Sequence, residues 1–349
     1  MTRYVAVLGI LMLAVLAGAS ASGQTLPGGV KIPGGGKAPS LPGGNKIPGA
    51  DAVNCGDIGT TAAGAKLKAF IDASADVDKA SAELEASVHD ACRDMAKALE
   101  ISTDGSTKVL CNRVATEIKT SLKVGVGVKS KTAVVATYKP AVCKVNADFT
   151  AEAAAKCEGK AKADVKVSCN GSCSGNCNGA CAGTCAAKDA KGMCAGECNG
   201  TCKGNCSGSC SGAADVDGSA ECKASASARG NMRAECTKPE VDVKVDSATV
   251  VDASRIARVE KALKTGLPAL LGAQAKAKLV AKSVKAWAST AGKLAGAGAG
   301  LVAQLGAKAI CVTGELAGAA KVATQVNVRV SVSVEASASV SGAAGAHAN

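Results

Sequence analysis

The residues of this chain that could do chemistry are its 18 cysteines. Ten of them recur every fourth residue, as Cys169, Cys173, Cys177, Cys181 and Cys185 and again as Cys194, Cys198, Cys202, Cys206 and Cys210, within a C-x-G-x repeat. Reduced, such a run is a dense array of soft thiolates at spacings that zinc and copper sites use. Oxidised, it is a set of cross-links and has no reactive group left. The other groups that run enzymes are sparse. Only His89 and His347 are present; His89 has Glu85 and Arg93 one helical turn away on either side and reads as a surface residue, and His347 lies near the end of the chain. The carboxylates are scattered among lysines and suggest no acid–base pair. Neither a phosphate-binding Walker loop nor a G-x-S-x-G nucleophile elbow occurs. The expectation is therefore a protein with no catalytic residues and no cofactor.

The arrangement of the cysteines decides between thiolates and cross-links. Fourteen of them are mirrored about the point between Asp189 and Ala190, which pairs Cys143 with Cys236, Cys157 with Cys222, Cys169 with Cys210, Cys173 with Cys206, Cys177 with Cys202, Cys181 with Cys198 and Cys185 with Cys194. The inner five pairs follow from the repeat itself. The outer spacings are independent: Cys143 to Cys157 and Cys222 to Cys236 both span 14 residues, and Cys157 to Cys169 and Cys210 to Cys222 both span 12. Pro140 and Pro239 obey the same mirror. A hairpin with nested disulfides requires this matching, whereas a thiolate cluster does not. Four cysteines remain, and the preferred pairing joins Cys92 to Cys111 across a helical hairpin and Cys55 to Cys311 across the base.

Export agrees with oxidation. Arg3, the apolar run 5–17 and Ala19-Ser20-Ala21 form the pattern of a secretory signal peptide over residues 1–21, which places the mature chain in the periplasm or outside the cell, where cysteines pair. Residues 22–54 repeat a Leu-Pro-Gly-Gly-x-Lys-Ile-Pro-Gly phrase and are expected to form a disordered linker. No later segment is apolar and long enough for a transmembrane span. The net charge of +12 suits contact with an anionic envelope or polymer. Nucleic acid is a poor partner, since five aromatic residues in the whole sequence supply no stacking platform.

Hydrophobic spacing then supplies the elements that position the cysteines. Leu84, Val88, Cys92, Met95 and Leu99, and then Leu110, Val114 and Ile118, mark two helices in 55–121 that meet near Asp104-Gly105. A second helical block at 252–325 carries Ile256, Val259, Leu263, Val280, Val284, Trp287, Val312 and Leu316, with a helix expected to start at Pro268 and close helix contact possible at Gly296-x-x-x-Gly300. The two blocks should form one bundle. Between them, 122–251 reads as an inserted arm with its turn near 187–192. Its apolar residues alternate on both sides, which predicts two long antiparallel strands with all seven cysteine pairs on one face. In that register Gly171, Gly175, Gly179 and Gly183 face Gly208, Gly204, Gly200 and Gly196, Phe149 faces Gly230, and Lys144 faces Glu235. Beyond the prolines Tyr138, Ala136 and Val134 face Val241, Val243 and Val245. The helix-forming stretch Ala151–Lys156 pulls the other way. Alternating valines in 326–341 predict one more strand, and 342–349 a flexible tail.

The expected architecture is thus α+β: a helical base with a long antiparallel β-ribbon cross-linked by a ladder of disulfides. Over about 169–236 the Cys-Gly repeat resembles low-complexity repeats of uncharacterised secreted bacterial proteins, a resemblance that implies no activity. The expected role is that of an exported structural or surface protein presenting a rigid ribbon. Two alternatives are metal sequestration by the cysteines, and binding of a repetitive surface, glycan or ice, by a flat row of Asn170, Ser172, Ser174, Asn176 and Asn178. A ribbon with a small-sided Ala, Gly and Cys face also predicts self-association through that face.

Overall fold

The computed structural model describes residues 58, 61–124, 134–245, 252–296 and 309–348. The expected signal peptide, the linker and Cys55 lie outside the described residues, as do the side chain of Cys311 and the whole of Gly300, so the Cys55–Cys311 pairing and the glycine contact lie outside them too.

Four long helices make the base. Helix α1 (Ala62–Ala98) begins where the Thr61 hydroxyl accepts a hydrogen bond from the Gly64 amide at 3.0 Å, satisfying one of the donors that a helix start leaves open. It turns through Glu100, a non-glycine residue at φ 61°, into α2 (Thr107–Val124). A disulfide between Cys92 and Cys111 staples the two, as the spacing predicts. Helices α5 (Ala253–Gly296) and α6 (Ala309–Ala343) complete the bundle, and α6 packs on α1, α2 and α5. Phe70 stacks on Trp287 with ring centroids 5.8 Å apart, in a core that also buries Leu67, Met95, Leu263 and Leu270. Pro268 does not start a helix: it lies inside α5, where the burial of Leu267, Leu270 and Leu271 outweighs the missing N–H.

The C-terminal strand expected at 326–341 is instead part of α6. Its valines alternate, but the buried positions are Val326, Val330, Ser333, Ala336, Ser337 and Val340, which follow a helical stripe. β-propensity measures fit to a half-buried pleated surface, and here three helices offer a groove for a stripe of small residues. The tail is not free either. Strand β10 (His347–Ala348) pairs with β1 (Val134–Lys139), which pairs antiparallel with β9 (Glu240–Val245). The β1–β9 register has Val134 opposite Val245, Ala136 opposite Val243 and Tyr138 opposite Val241, as read from the sequence.

The insertion departs further from expectation. Strands β2 (Cys143–Asn146) and β8 (Glu235–Cys236) pair with Cys143 opposite Cys236 and Lys144 opposite Glu235. The long strands expected next are helices: α3 (Ala147–Glu158) and α4 (Ala220–Met232). Local signals prevail in α3. The Asn146 side chain caps its start by accepting from the Phe149 amide, and Gly159 ends it in the left-handed region at φ 66°. Alanine is the strongest helix former, and the contact that would have favoured a strand, Phe149 against Gly230, is replaced by Thr150 against Gly230. Phe149 lies beneath the guanidinium of Arg233, 4.4 Å from its ring centroid. The disulfide Cys157–Cys222 ties α3 to α4.

Candidate functional site

Inside the two helices runs the Cys-Gly zone, as β3 (Val167–Cys169), β4 (Ser172–Cys185), β5 (Cys194–Cys206), β6 (Ser209–Ser211) and β7 (Ala214–Val216). All seven mirrored pairs are disulfides. The backbone register, however, is one repeat out of step with them. Cys181 is bonded to Cys198 but lies beside Cys202 in the ladder; Cys177 is bonded to Cys202 but lies beside Cys206. Likewise Gly183 faces Gly200 and Gly179 faces Gly204, where the mirror alone placed Gly196 and Gly200. Partner numbers fall on β5 as they rise along β4, the antiparallel sense.

The outgoing chain also has the returning chain on both of its edges. Cys173 neighbours Cys210 on one side and Cys198 on the other; Cys169 neighbours Ala214 and Cys202. Those neighbours are 12 residues apart on the returning chain, or three C-x-G-x repeats. A flat two-stranded ribbon has one shared edge and cannot do this. The two chains wind around each other as a coil, and towards the tip the spacing falls to 10 residues, as for Gly179 between Gly204 and Cys194; the cysteines are turned inward, with Cys169, Cys173, Cys177, Cys198, Cys202 and Cys210 fully buried. Disulfides cross the interior and take the place of an apolar core. The disulfide-laddered ribbon is present with the predicted bonds, and it is wound rather than flat.

Glycine makes the winding sterically feasible. A Cβ on Gly183 would sit 2.1 Å from the Asn199 carbonyl oxygen, and one on Gly200 would sit 2.2 Å from that of Ala182. Both residues also have φ near +150°, a region that side chains disfavour. The Asp189 carboxylate closes the far end, accepting from the amides of Lys191 and Met193 at 2.9 and 2.8 Å. At the near end the coil is fixed to α3 through Asp148, which accepts from the Gly208 amide at 2.9 Å and pairs with Lys162 at 2.7 Å. The Lys162 hydrogen bond, opposed by burial and helped by Gly208, holds the Asp148 carboxyl below its ordinary range.

The small-residue face expected to be bare is covered from within the chain. Ala147, Ala151, Ala154 and Ala155 of α3 and Ala226 of α4 pack with the coil cysteines, Val165 and Val167 in a second core. The polar row expected to lie flat is wound round the coil, with Ser172 hydrogen-bonded to Ser211 and Ser174 to Ser209. His89 sits on α1, 3.3 Å from the Gly105 carbonyl. The coil emerges from this cover towards its tip, where every residue of 186–193 is exposed.

A cleft that sequence reading missed opens where the arm joins the base, between α1, α5, the end of α4 and the segment 234–239. It holds two neighbouring hollows of about 320 and 310 Å³, with Ala80, Glu83 and Lys276 in the walls of both. Lys276 is half-buried, and burial pushes its ammonium below the ordinary lysine value, with the Glu83 charge opposing that. Lys276 lies on α5 directly before the buried Ala277 and four residues after Gly272.

Comparison with protein-family models, curated proteins and solved structures finds no match for this chain. Its reading rests on its own residues. They show a disulfide-stabilised α+β protein, and no described helix is long and apolar enough to cross a membrane.

Proposed function

We propose that this chain is an exported, non-enzymatic structural protein that presents the disulfide coil as a stiff element for contact with an anionic surface or polymer. The observation carrying this reading is the allocation of cross-links. Seven of the eight described disulfides lie in the insertion, and their interior position leaves the tip residues Lys188, Lys191 and Met193 outward. Two chains of a Gly-rich, small-sided sequence could not hold a shape without them, because such a sequence buries too little apolar surface to offset chain entropy. Nested disulfides restrict the unfolded chain instead. The paired cysteines support export, since an oxidising compartment keeps disulfides formed.

The test is sedimentation of the full oxidised chain with isolated cell envelopes at physiological salt. We expect binding that is lost on reduction and weakened in a Lys188→Ser/Lys191→Ser/Met193→Ser variant. Equal binding by reduced and oxidised protein would remove any role for a stiff coil. Reproducible substrate turnover, abolished by a change outside the cysteines, would overturn the non-enzymatic reading.

A second reading has one specific observation behind it. The Sγ atoms of Cys169, Cys206 and Cys210 lie within 4.8 Å of one another although they belong to two disulfides, Cys169–Cys210 and Cys173–Cys206. Reduction would release thiolates already gathered for a soft cation. Metal sequestration therefore requires the reduced form, and protein isolated without reductant should decide it: stoichiometric zinc or copper with abundant free thiols favours this reading, and intact disulfides without metal favour the first.

A further inference from the structure

The geometry points to the cleft at the root of the arm as a binding site for a small organic carboxylate with an apolar tail, its carboxylate taken by Lys276. Three observations carry this. First, the cleft is concave and of ligand size, and it lies where helices of the base meet the end of α4 and the segment 234–239. Second, its charges are unevenly satisfied. Arg229 and Arg233 are both paired with Asp76, at 2.7 and 3.3 Å, whereas Lys79, Lys238 and Lys276 have no ion-pair partner within 4.0 Å among the described residues. Glu83 is the one carboxylate in the lining that is left for three ammonium groups. Of those groups Lys276 is the one taken out of water, so it has the most to gain from an anion beside it.

Third, the larger part of the cleft is apolar beside that lysine. Leu84, Ala234, Pro239, Pro268, Ala269 and Ala273 line it, and Gly272 stands open in its wall, with Pro239 Cδ, at 3.6 Å, the nearest atom to the place a Cβ would take. A plain inorganic anion would leave this surface wet, while an aliphatic chain would cover it. The two parts of the site thus select both ends of one molecule.

Hexanoate and inorganic phosphate are suitable probes, applied to the full oxidised chain by calorimetry and by protection of Lys276 from acetylation. We expect saturable hexanoate binding that protects Lys276, with phosphate weaker by about tenfold or more, the equivalent of one well-made apolar contact. Lys276→Met should abolish the protection-linked binding. Gly272→Leu should do so without touching a charge, because the longer side chain fills the apolar part while favouring the helix. Glu83→Gln should tighten binding by removing the competing carboxylate. Intact thermal unfolding of the Gly272→Leu variant separates blocking from misfolding. Equal binding of phosphate and hexanoate would overturn the apolar half of the proposal. Absence of saturable binding, or binding unchanged in both Lys276→Met and Gly272→Leu, would overturn the site.

Discussion

Replacing Gly230 with alanine tests the central structural departure, that the flanks of the cysteine coil are helices and not strands. Alanine in a helix interior is favoured over glycine by about 1 kcal/mol, so the change alone should stabilise α4. The structure predicts the opposite sign. A Cβ at position 230 would sit 2.2 Å from Thr150 Oγ1 and 3.0 Å from its Cγ2. Thr150 is fully buried, its hydroxyl donates to the Asn146 carbonyl at 2.8 Å, and the Cys157–Cys222 disulfide keeps α3 and α4 from separating. Overpacking of this kind costs about 1–3 kcal/mol. The net effect of Gly230→Ala should be a loss of about 1–2 kcal/mol when the propensity gain is set against the upper part of that range. In a Thr150→Ala background Oγ1 and Cγ2 are gone, the nearest remaining atom is the residue-150 Cβ at 3.1 Å, and the propensity gain should reappear. The cycle therefore predicts a coupling of about 2–3 kcal/mol between positions 150 and 230, read by denaturant unfolding of the four disulfide-intact proteins. Phe149→Ala in place of Thr150→Ala should give no such rescue. Additivity of Thr150→Ala and Gly230→Ala within about 0.5 kcal/mol, or rescue by Phe149→Ala, would refute the helical pairing and restore the strand.

Removing one rung with Cys181→Ser/Cys198→Ser should destabilise the coil by about 2–3 kcal/mol, the entropy of closing a loop over a sequence separation of 17 less what the neighbouring rungs already restrict, and leave the base unchanged by hydrogen exchange. The coil also predicts a short distance between labels placed, without cysteine chemistry, at Asn170 and Thr184: with a pitch of about two strand spacings per turn they lie ~10–20 Å apart, against ~46 Å for an extended strand, and dipolar spectroscopy separates the two. Lys276 gives a pH dependence. Its folded value is lowered from 10.5, so its charged form penalises folding at neutral pH, and the penalty fades as pH rises from the folded value towards 10.5. Lys276→Met should therefore be the more stable protein at pH 7, with the difference closing in the alkaline range; the surrounding charges, Lys79 and Glu83 on α1, Arg229, Arg233 and Asp76 at the α4 contact, and Lys238, are the same in both. A constant difference across that range would mean that burial does not disfavour the Lys276 ammonium.

What the sequence made legible, and what it did not, divides by the kind of constraint. Covalent pairing was readable because a disulfide needs only that two cysteines meet, and the mirrored 14- and 12-residue gaps leave one consistent set of meetings. The hairpin β1–β9 was readable for the same reason, with Val134, Ala136 and Tyr138 finding their partners across the prolines. Shape was not, because a repeat of period four satisfies the mirror on a flat ribbon and on a coil alike. The difference lies in backbone ladders offset by one repeat, as between Cys181–Cys198 and Cys181 beside Cys202. The glycines held a clue: a ribbon needs no glycine at every fourth position on both strands, whereas a coil whose backbones approach within van der Waals contact does.

Alternation misled three times, in Ala147–Glu158, in Ala220–Met232 and in 326–341, and the common cause is side-chain size. Where every second residue is Ala, Val or Ser, the residues between are often small too, and a helix can choose its buried stripe from either set. Ser333 and Ser337 are buried in α6 beside Val330, Ala336 and Val340, so the polar half of the alternation enters the core. The period of hydrophobicity carries information only when the polar residues are costly to bury. In these segments enough of the intervening residues are cheap to bury, Thr150 and Ala154 in α3, Ser225 and Ser227 in α4, and Ser333 and Ser337 in α6, and for α3 the start and stop residues Asn146 and Gly159 mark the helix.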